Sequence, residues 1–175
     1  TVAWGLCLLR NLFAAQESMR EGRWEQLDIK PVELAGKIWG LVGLGRIGRA
    51  VALRLRPFDL GRVLYTDVQR QAPEVEEEFG IEYAGLSDLL KLSDIVSLHV
   101  PYTKETAGFI GREELAFMKP SAYLINVARG GLVDEDALAE AVRSGGIAGS
   151  AVDVFAQEPL PEGSPLLGIP GNRIL

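Results

Sequence analysis

The sequence predicts an α/β fold, a doubly wound parallel sheet covered by helices on both faces. Short runs that are apolar throughout alternate with helical segments along most of the chain. Strands buried on both faces need crossover helices, and they have such continuous apolar sequences. A glycine-rich turn directly after one of these runs favours the same class, because it joins a strand to a helix. We expect about six or seven parallel strands.

Composition suits one globular domain and excludes several classes of function. The chain has 175 residues, 47% hydrophobic and 24% charged, which is enough to build a core. Its 18 basic and 24 acidic residues give a net charge of −6, which argues against nucleic acid or a membrane surface as a partner. No apolar run has the ~18 residues of a membrane span. The single cysteine, Cys7, cannot form an internal disulfide, so we expect a cytoplasmic protein.

Hydrophobic periodicity predicts the elements in turn. Residues 2–20 have apolar side chains at spacings of three to four, which predicts one amphipathic helix ending near Gly22. The predicted strands are 37–42, 62–66, 94–98, 122–126 and 147–154. The predicted helices run from the glycine turn to Pro57 and over 87–91, 113–118 and 134–143. Asp134 is expected to cap the last helix, and Gly145 to end it.

The turn after the first predicted strand has the spacing Gly43-x-Gly45-x-x-Gly48, which is typical of a dinucleotide-binding loop. Gly43 permits the tight turn, Gly45 lets the backbone approach a pyrophosphate, and Gly48 lets helix and strand pack closely. The following helix offers free N–H groups and partial positive charge to the phosphates. A glycine turn without a cofactor is the alternative, since the spacing alone is a weak signal. Strand, turn and helix in this order favour an NAD(P)-binding Rossmann fold.

The end of the second predicted strand indicates which dinucleotide is bound. Asp67 lies 19 positions after Gly48, where an acidic side chain accepts hydrogen bonds from the adenosine ribose. Its charge repels a 2′-phosphate, which favours NAD over NADP. Arg70 is the opposing feature, because a nearby arginine can accommodate that phosphate.

Four motifs in order resemble those of the D-isomer-specific 2-hydroxyacid dehydrogenases and span nearly the whole chain. They are Leu41-Val42-Gly43-Leu44-Gly45-Arg46-Ile47-Gly48, Asp94-Ile95-Val96-Ser97-Leu98-His99-Val100-Pro101-x-Thr103-x-x-Thr106, Asn126-Val127-Ala128-Arg129-Gly130-Gly131-Leu132-Val133-Asp134 and Ala151-Val152-Asp153-Val154-Phe155-x-x-Glu158-Pro159. The resemblance implies hydride transfer between NAD(H) and a small D-2-hydroxy or 2-oxo acid. Phosphoglycerate, glycerate or hydroxypyruvate, and glyoxylate are the substrates it implies.

The resemblance also implies roles for individual side chains. Arg129 would hold the substrate carboxylate, which suits a guanidinium because it is always charged and binds two oxygens at once. Glu158 would pair with a catalytic histidine and raise its pKa. Asp153 would orient the nicotinamide carboxamide. The other residues implied to line the cofactor groove are Arg46, Ile47, Val100 and the turn of Val127, Ala128 and Arg129, so Arg129 would contact the cofactor as well as the substrate.

Each of these three side chains also has a plainer interpretation. Arg129 could be a surface arginine in a turn, since Gly130 and Gly131 follow it. Glu158, taken alone, is typical of a solvated residue in a polar loop. Asp153 lies in a run that we expect to be buried, and a buried carboxylate needs a partner.

His99 is the only histidine, yet we expect it to be structural. The chemistry needs a histidine as acid and base. However, His99 ends a predicted strand, at a position where the family has a residue of the cofactor groove. The resemblance implies that the catalytic histidine follows the apolar strand 173–175, where the sequence stops.

We therefore expect a piece of a longer protein, in which residues 1–175 are the NAD-binding domain and the substrate-binding domain lies outside the chain. Alone, it should bind cofactor and turn over poorly. Residues 1–30 are expected to form a helix and an arm. They resemble the helix and arm that family members use in dimer contacts, so their apolar side chains, with Trp4, Phe13 and Trp24, either contact the second subunit of a homodimer or pack on the chain's own sheet.

Two other functions are compatible with these residues. A sibling enzyme that acts on formate or phosphite would use Arg129 and Glu158 as well. An NADH-sensing protein, similar to the corepressors that share this fold, would bind the cofactor and act through partner contacts.

Overall fold

The computed structural model describes residues 1–23, 30–169 and 173–175. Within them, six strands form one parallel sheet: β1 (Ile38–Val42), β2 (Arg62–Thr66), β3 (Glu82–Tyr83), β4 (Ile95–Leu98), β5 (Tyr123–Asn126) and β6 (Gly149–Val152). Their order is β3-β2-β1-β4-β5-β6, so the chain reverses direction across the sheet between β1 and β4. This is the order of dinucleotide-binding domains, in which ligands bind at that reversal. The predicted fold class is confirmed.

Helices cover both faces of the sheet. They are α1 (Val2–Leu9), α2 (Leu12–Arg20), α3 (Arg46–Leu55), α4 (Pro73–Phe79), α5 (Leu86–Leu92), α6 (Arg112–Phe117) and α7 (Glu135–Arg143). Helices α5, α6 and α7 contribute to the hydrophobic core on one face, while α1 and α3 contribute to the core on the other. Because both faces are covered, a strand such as β4 is buried along its whole length, which explains why three of its four residues are apolar.

Helix α3 is amphipathic, and its apolar stripe fixes it against the sheet below the glycine turn. Val51, Ala52 and Leu55 are buried and pack in one core with Trp39 and Leu41 of β1. Burial of each large apolar side chain stabilises the fold by about 1.5–3 kcal/mol. The start of α3 is therefore held at the end of β1, where the reversal of the chain lies.

Helix α7 begins and ends as predicted. The Asp134 carboxylate accepts a hydrogen bond from the backbone N–H of Ala137 at 3.0 Å, which caps the first turn. Gly145 then takes a left-handed conformation with φ of 76°, and its N–H donates to the carbonyl of Val142.

The prediction of one helix over 2–20 is wrong, because the structure has α1 and α2 in its place. Asn11 adopts a left-handed backbone with φ of 49°, and its side-chain amide donates to the carbonyl of Lys30. Helix α1 packs on the sheet with Leu8 and Leu9 buried. The chain can therefore change direction at Asn11.

Three further differences concern the edges of the sheet. Helix α4 and the two-residue strand β3 were not predicted. The strand predicted over 147–154 is shorter and ends at Val152. Residues 173–175 run beside β6, where Ile174 pairs in parallel with Ser150, as expected of a further strand.

Candidate functional site

A cavity of about 650 Å³ opens at the carboxyl ends of β1, β4 and β5. This volume lies within the range of roughly 300–1,000 Å³ that small-molecule sites occupy. It is lined by Gly45, Arg46, Ile47, His99, Val100, Pro101, Tyr102, Val127, Ala128 and Arg129. Seven of the residues predicted for the cofactor groove are thus brought together, although they come from three separate segments, which follow β1, β4 and β5.

The three glycines of the turn have different environments. A Cβ on Gly43 would lie 2.8 Å from the carbonyl oxygen of His99, and a Cβ on Gly48 would lie 2.2 Å from that of Gly43. Both glycines are therefore required by close packing of the backbone. A Cβ on Gly45 would meet nothing within 4 Å. Its φ of −70° is open to any residue, so neither packing nor backbone conformation requires glycine here, and its backbone is left open to a ligand in the cavity that it lines.

The start of α3 suits an anion. Gly45 is the N-cap residue and has no side chain to bond the free N–H groups of the first turn. These groups and the helix dipole favour negative charge. Arg46 and Ile47 are exposed beside them, with 64% of Ile47 accessible. A pyrophosphate therefore fits the donors present here.

Asp67 directly follows β2 and is fixed against the glycine turn. One carboxylate oxygen accepts from the N–H of Leu44 at 2.7 Å, and the other accepts from the N–H of Val68 at 2.7 Å. Each oxygen has two lone pairs, so each can accept one more hydrogen bond. Asp67 is thus oriented with spare acceptor capacity, as recognition of a ribose diol requires.

The turn that carries Arg129 is held by polar contacts and by close packing. The Asn126 side chain donates to the carbonyl of Arg129 at 2.9 Å and accepts from the N–H of Ala128 at 3.1 Å. A Cβ on Gly130 would lie 1.9 Å from the carbonyl carbon of Phe155, so only glycine allows this approach. Arg129 itself is exposed, and its guanidinium donates to the carbonyl of Ala128 at 2.6 Å.

The segment after β6 is fixed by two carboxylates. Glu158 accepts from the N–H of Phe155 at 3.0 Å, and Glu135 accepts from the N–H of Ala156 at 2.7 Å. Both Asp153 and Glu158 are exposed. The expectation that Asp153 is buried is wrong, because β6 ends at Val152 and Asp153 lies beyond the covered part of the sheet.

His99 lies under the glycine turn, at the end of a buried chain of hydrogen bonds. The Trp39 indole donates to the Ser97 hydroxyl at 2.8 Å, and that hydroxyl lies 2.9 Å from Nε2 of His99. Burial lowers the pKa of His99 from 6.5 to about 4, which keeps the ring neutral at pH 7. His99 also lines the cavity, and its structural role stays a prediction.

Several residues around the cavity were not predicted. Pro101 and Tyr102 line it, and Tyr102 packs so closely on Gly131 that a Cβ there would lie 2.6 Å from its ring. Glu135 holds the segment after β6 from the first turn of α7. The only signal for Tyr102 was its place inside the second motif, and nothing local indicated the contact of Glu135.

The sheet order, the glycine turn and the fixed acidic residue after β2 define a dinucleotide-binding domain. The sequence profile of one family, described as D-isomer specific 2-hydroxyacid dehydrogenase, NAD binding domain, matches residues 2–174. The chain belongs to this family. The resemblance drawn from the four motifs is confirmed, and so is NAD as the cofactor.

Similar proteins agree with this assignment. A glyoxylate reductase of Thermofilum pendens is 47% identical over 170 residues, which is 95% of this chain and 50% of the relative. A D-3-phosphoglycerate dehydrogenase of Methanocaldococcus jannaschii is 42% identical over 95% of this chain and 32% of the relative. The structure of an NAD-dependent formate dehydrogenase from Staphylococcus aureus, in complex with NAD, has a TM-score of 0.89 and 34% identity over 99% of this chain and 52% of that one. The chain spans half or less of the length of these two curated relatives.

The described residues hold no candidate for two other kinds of site. No helix in the described part of the chain is long and apolar enough to cross a membrane. Among the same residues, no group of three or more histidine, cysteine or acidic side chains is placed to hold a metal ion.

The low pKa of His99 predicts a dependence of stability on pH. The folded pKa of about 4 lies below the ordinary 6.5, so the neutral ring stabilises the fold fully above pH 6.5, and this contribution is lost as the pH falls towards 4. His99→Gln keeps a polar partner for Ser97 but does not titrate. In urea denaturation at pH 7, 6, 5 and 4, the parent should lose about 1–3 kcal/mol more free energy of unfolding than the variant. Parallel pH curves for the two proteins would contradict the assignment.

Proposed function

We propose that the cavity and the glycine turn hold NAD across the carboxyl edge of the sheet. The pyrophosphate lies at Gly45 and the start of α3, the adenosine ribose at Asp67, and the nicotinamide towards Arg129 and Asp153. The carrying observation is the open space at Gly45, in a turn whose other two glycines are required by close packing. Open space alone does not require a ligand, since Gly85 has it as well, but the space at Gly45 faces the cavity, and this combination supports contact with a ligand.

The walls of the cavity suit the uncharged parts of this cofactor. Val100, Val127 and Ala128 provide apolar surface between the start of α3 and the turn of Arg129. Exposed Ile47 adds to it from the helix. Apolar walls with a few placed polar groups are typical of sites that bury planar rings.

We also propose that the protein carrying this domain is an NAD-dependent dehydrogenase of small D-2-hydroxy or 2-oxo acids. The oxidised cofactor would accept a hydride from the hydroxy acid, and the reduced cofactor would donate one to the oxo acid. Arg129 is exposed at the cavity and can bind both oxygens of a substrate carboxylate through its planar guanidinium. Glu158 is exposed on the segment that packs against the turn of Arg129, where it can orient a histidine supplied from outside the residues described. The names of the glyoxylate reductase and phosphoglycerate dehydrogenase relatives support this substrate class.

For the domain organisation, we propose that residues 1–175 form the NAD-binding domain and that the first two helices contribute to a homodimer. Helix α1 packs on its own sheet, but α2 exposes Leu12, Phe13 and Met19 at 49%, 41% and 69%. Such apolar side chains on one short helix favour contact with another subunit. Trp24, the other residue predicted here, lies outside the described residues.

We further propose that the protein works in the cytoplasm. Cys7 is a free, half-buried thiol, so the structure contains no disulfide among the described residues. The acidic composition and the NAD site both suit that compartment.

Substitution of Gly45 tests the cofactor site directly. Gly45→Val places a side chain where the pyrophosphate would lie, so NADH should bind at least about tenfold more weakly in calorimetric titration, a loss of about 1.4 kcal/mol. Its melting temperature should stay close to that of Gly85→Val, the matched control. Gly85 is also an extended N-cap glycine with nothing within 4 Å, but it precedes α5 and does not line the cavity. Unchanged NADH affinity in Gly45→Val would remove the basis of the proposal.

Arg129→Lys tests the substrate site in the whole protein. Lysine keeps the charge but cannot bind two oxygens in a fixed geometry, so the KM for glyoxylate or hydroxypyruvate should rise about tenfold or more, while NADH affinity stays within about twofold. Arg112→Lys, on α6 and away from the cavity, is the control. Turnover of formate or phosphite instead would favour the sibling enzyme, and NADH binding with no turnover of any of these acids would favour the sensor.

Phe13→Glu tests the dimer contact by sedimentation velocity. A charge in an apolar interface should shift the protein towards the monomer, by at least about tenfold in the dissociation constant. Leu92→Glu, on the opposite face of the sheet and 40% exposed, should leave the sedimentation coefficient unchanged. A parent protein that is monomeric at micromolar concentration would rule out this interface.

A further inference from the structure

The loop after β2 contains an ion pair that the cofactor site as proposed does not use. Arg70, three residues after Asp67, binds Glu76 of α4 through two hydrogen bonds. Its Nε lies 2.9 Å from Oε1 of Glu76, and its Nη2 lies 2.9 Å from Oε2. Two parallel bonds of this kind fix the plane of a guanidinium as well as its position.

Glu76 is itself fixed by the sheet. The buried Tyr65 of β2 donates its hydroxyl proton to Oε1 of Glu76 at 2.8 Å, and the same hydroxyl accepts from the N–H of Gln71 at 2.7 Å. The side chain of Glu76 is only 13% exposed. The bonds from Arg70 and then Tyr65 lower the pKa of Glu76 to about 2, so it is charged at neutral pH.

Arg70 is held on the side of the loop that faces β3. Its guanidinium carbon lies 5.7 Å from the centre of the Tyr83 ring, and that ring packs edge-on against Tyr65 at 5.5 Å. Arg49, another arginine near this loop, is engaged too, since it donates to the carbonyl of Leu44 and to the side chain of Gln71. The charge of Arg70 is thus neutralised by Glu76 in a place set by two tyrosines.

We propose that Glu76 is a positioning residue for cofactor specificity, which holds Arg70 away from the adenosine ribose and so makes the site select NAD over NADP. The inference rests on the proposed placement of that ribose at Asp67. A 2′-phosphate carries a charge of about −1.5 to −2 and needs a cation. With Arg70 bound to Glu76, it would meet Asp67 alone. Without the charge of Glu76, Arg70 can turn to the phosphate and offset the repulsion from Asp67.

The test is Glu76→Gln, with NADH and NADPH titrated separately by calorimetry. Glutamine keeps an oxygen that accepts from Tyr65 but removes the charge that binds Arg70. NADPH should bind about five- to tenfold more tightly than to the parent, while NADH affinity stays within about twofold. A purely structural role of Glu76 would change both affinities together.

Two further variants assign the gain to Arg70. The double variant Arg70→Gln/Glu76→Gln should lose the improvement for NADPH, because no guanidinium is released. Glu82→Gln is the matched charge control, since Glu82 of β3 also binds an arginine, Arg62 of β2. That pair lies at the start of β2, roughly 13 Å from its carboxyl end at about 3.3 Å per residue. Glu82→Gln should therefore leave NADPH affinity unchanged.

The outcomes separate this inference from the cofactor site itself. An unchanged NADPH affinity in Glu76→Gln, or a gain that persists in the double variant, would overturn the role of Glu76 while leaving the NAD site intact. Asp67→Ala should weaken NADH binding, and an unchanged affinity there would overturn both proposals. Arg70→Gln alone does not depend on the folding of a Glu76 variant. It should weaken NADPH binding by no more than about twofold, because Glu76 then keeps an unpaired charge, whereas a loss of about tenfold or more would show that Arg70 already binds the phosphate.

Discussion

The parallel register of β1 between β2 and β4 is the constraint on which the site depends. Val42, the last residue of β1, pairs with Thr66 on one side and Leu98 on the other. Gly43, Asp67 and His99 therefore leave the sheet at the same level. Backbone hydrogen bonds continue the pairing beyond the strands. The N–H of Gly43 donates to the carbonyl of Thr66, and the N–H of His99 donates to the carbonyl of Val42. A slip of one residue would exchange the faces of β1 and separate the glycine turn from its acidic partner.

Electrostatics at this edge is arranged along the length of one ligand. The start of α3 presents uncapped N–H groups, while Asp67 presents a carboxylate that is bonded to the same turn. An anion is therefore favoured at the start of α3 and repelled beside Asp67. His99 lies beneath the turn without adding charge, because burial keeps its ring neutral. In the site that we propose, selectivity for NAD therefore depends on the uncapped start of α3, on the carboxylate of Asp67, and on Glu76, which keeps Arg70 from offsetting that carboxylate.

The sequence predicted the buried parts of this fold and missed the parts that are not buried. Strands such as β4 are mostly apolar over a short run, and the cap of α7 has Asp134, so both were predicted correctly. Helix α4 has no buried residue and β3 is an exposed strand of two residues, so neither has a hydrophobic pattern to find. The glycine turn, Asp67 and the turn of Arg129 were found because motifs are local. The contacts of Glu76 and Glu135 were not, since they join residues that only the packing brings together.

The side of the cavity that we propose for the substrate is built differently from the side proposed for the cofactor. There the backbone is rigid, since Gly130 packs on Phe155 and the Asn126 side chain holds the turn, yet the guanidinium of Arg129 is exposed and bonded only within that turn. Asp153 and Glu158 are exposed on the adjoining segment in the same way. An exposed guanidinium would bind a carboxylate weakly in water, because ion pairs at a surface contribute about 0–1 kcal/mol. Its strength as a substrate ligand must therefore come from exclusion of water by a further surface over the cavity, which is the physical reason for a second domain in the enzyme that we propose.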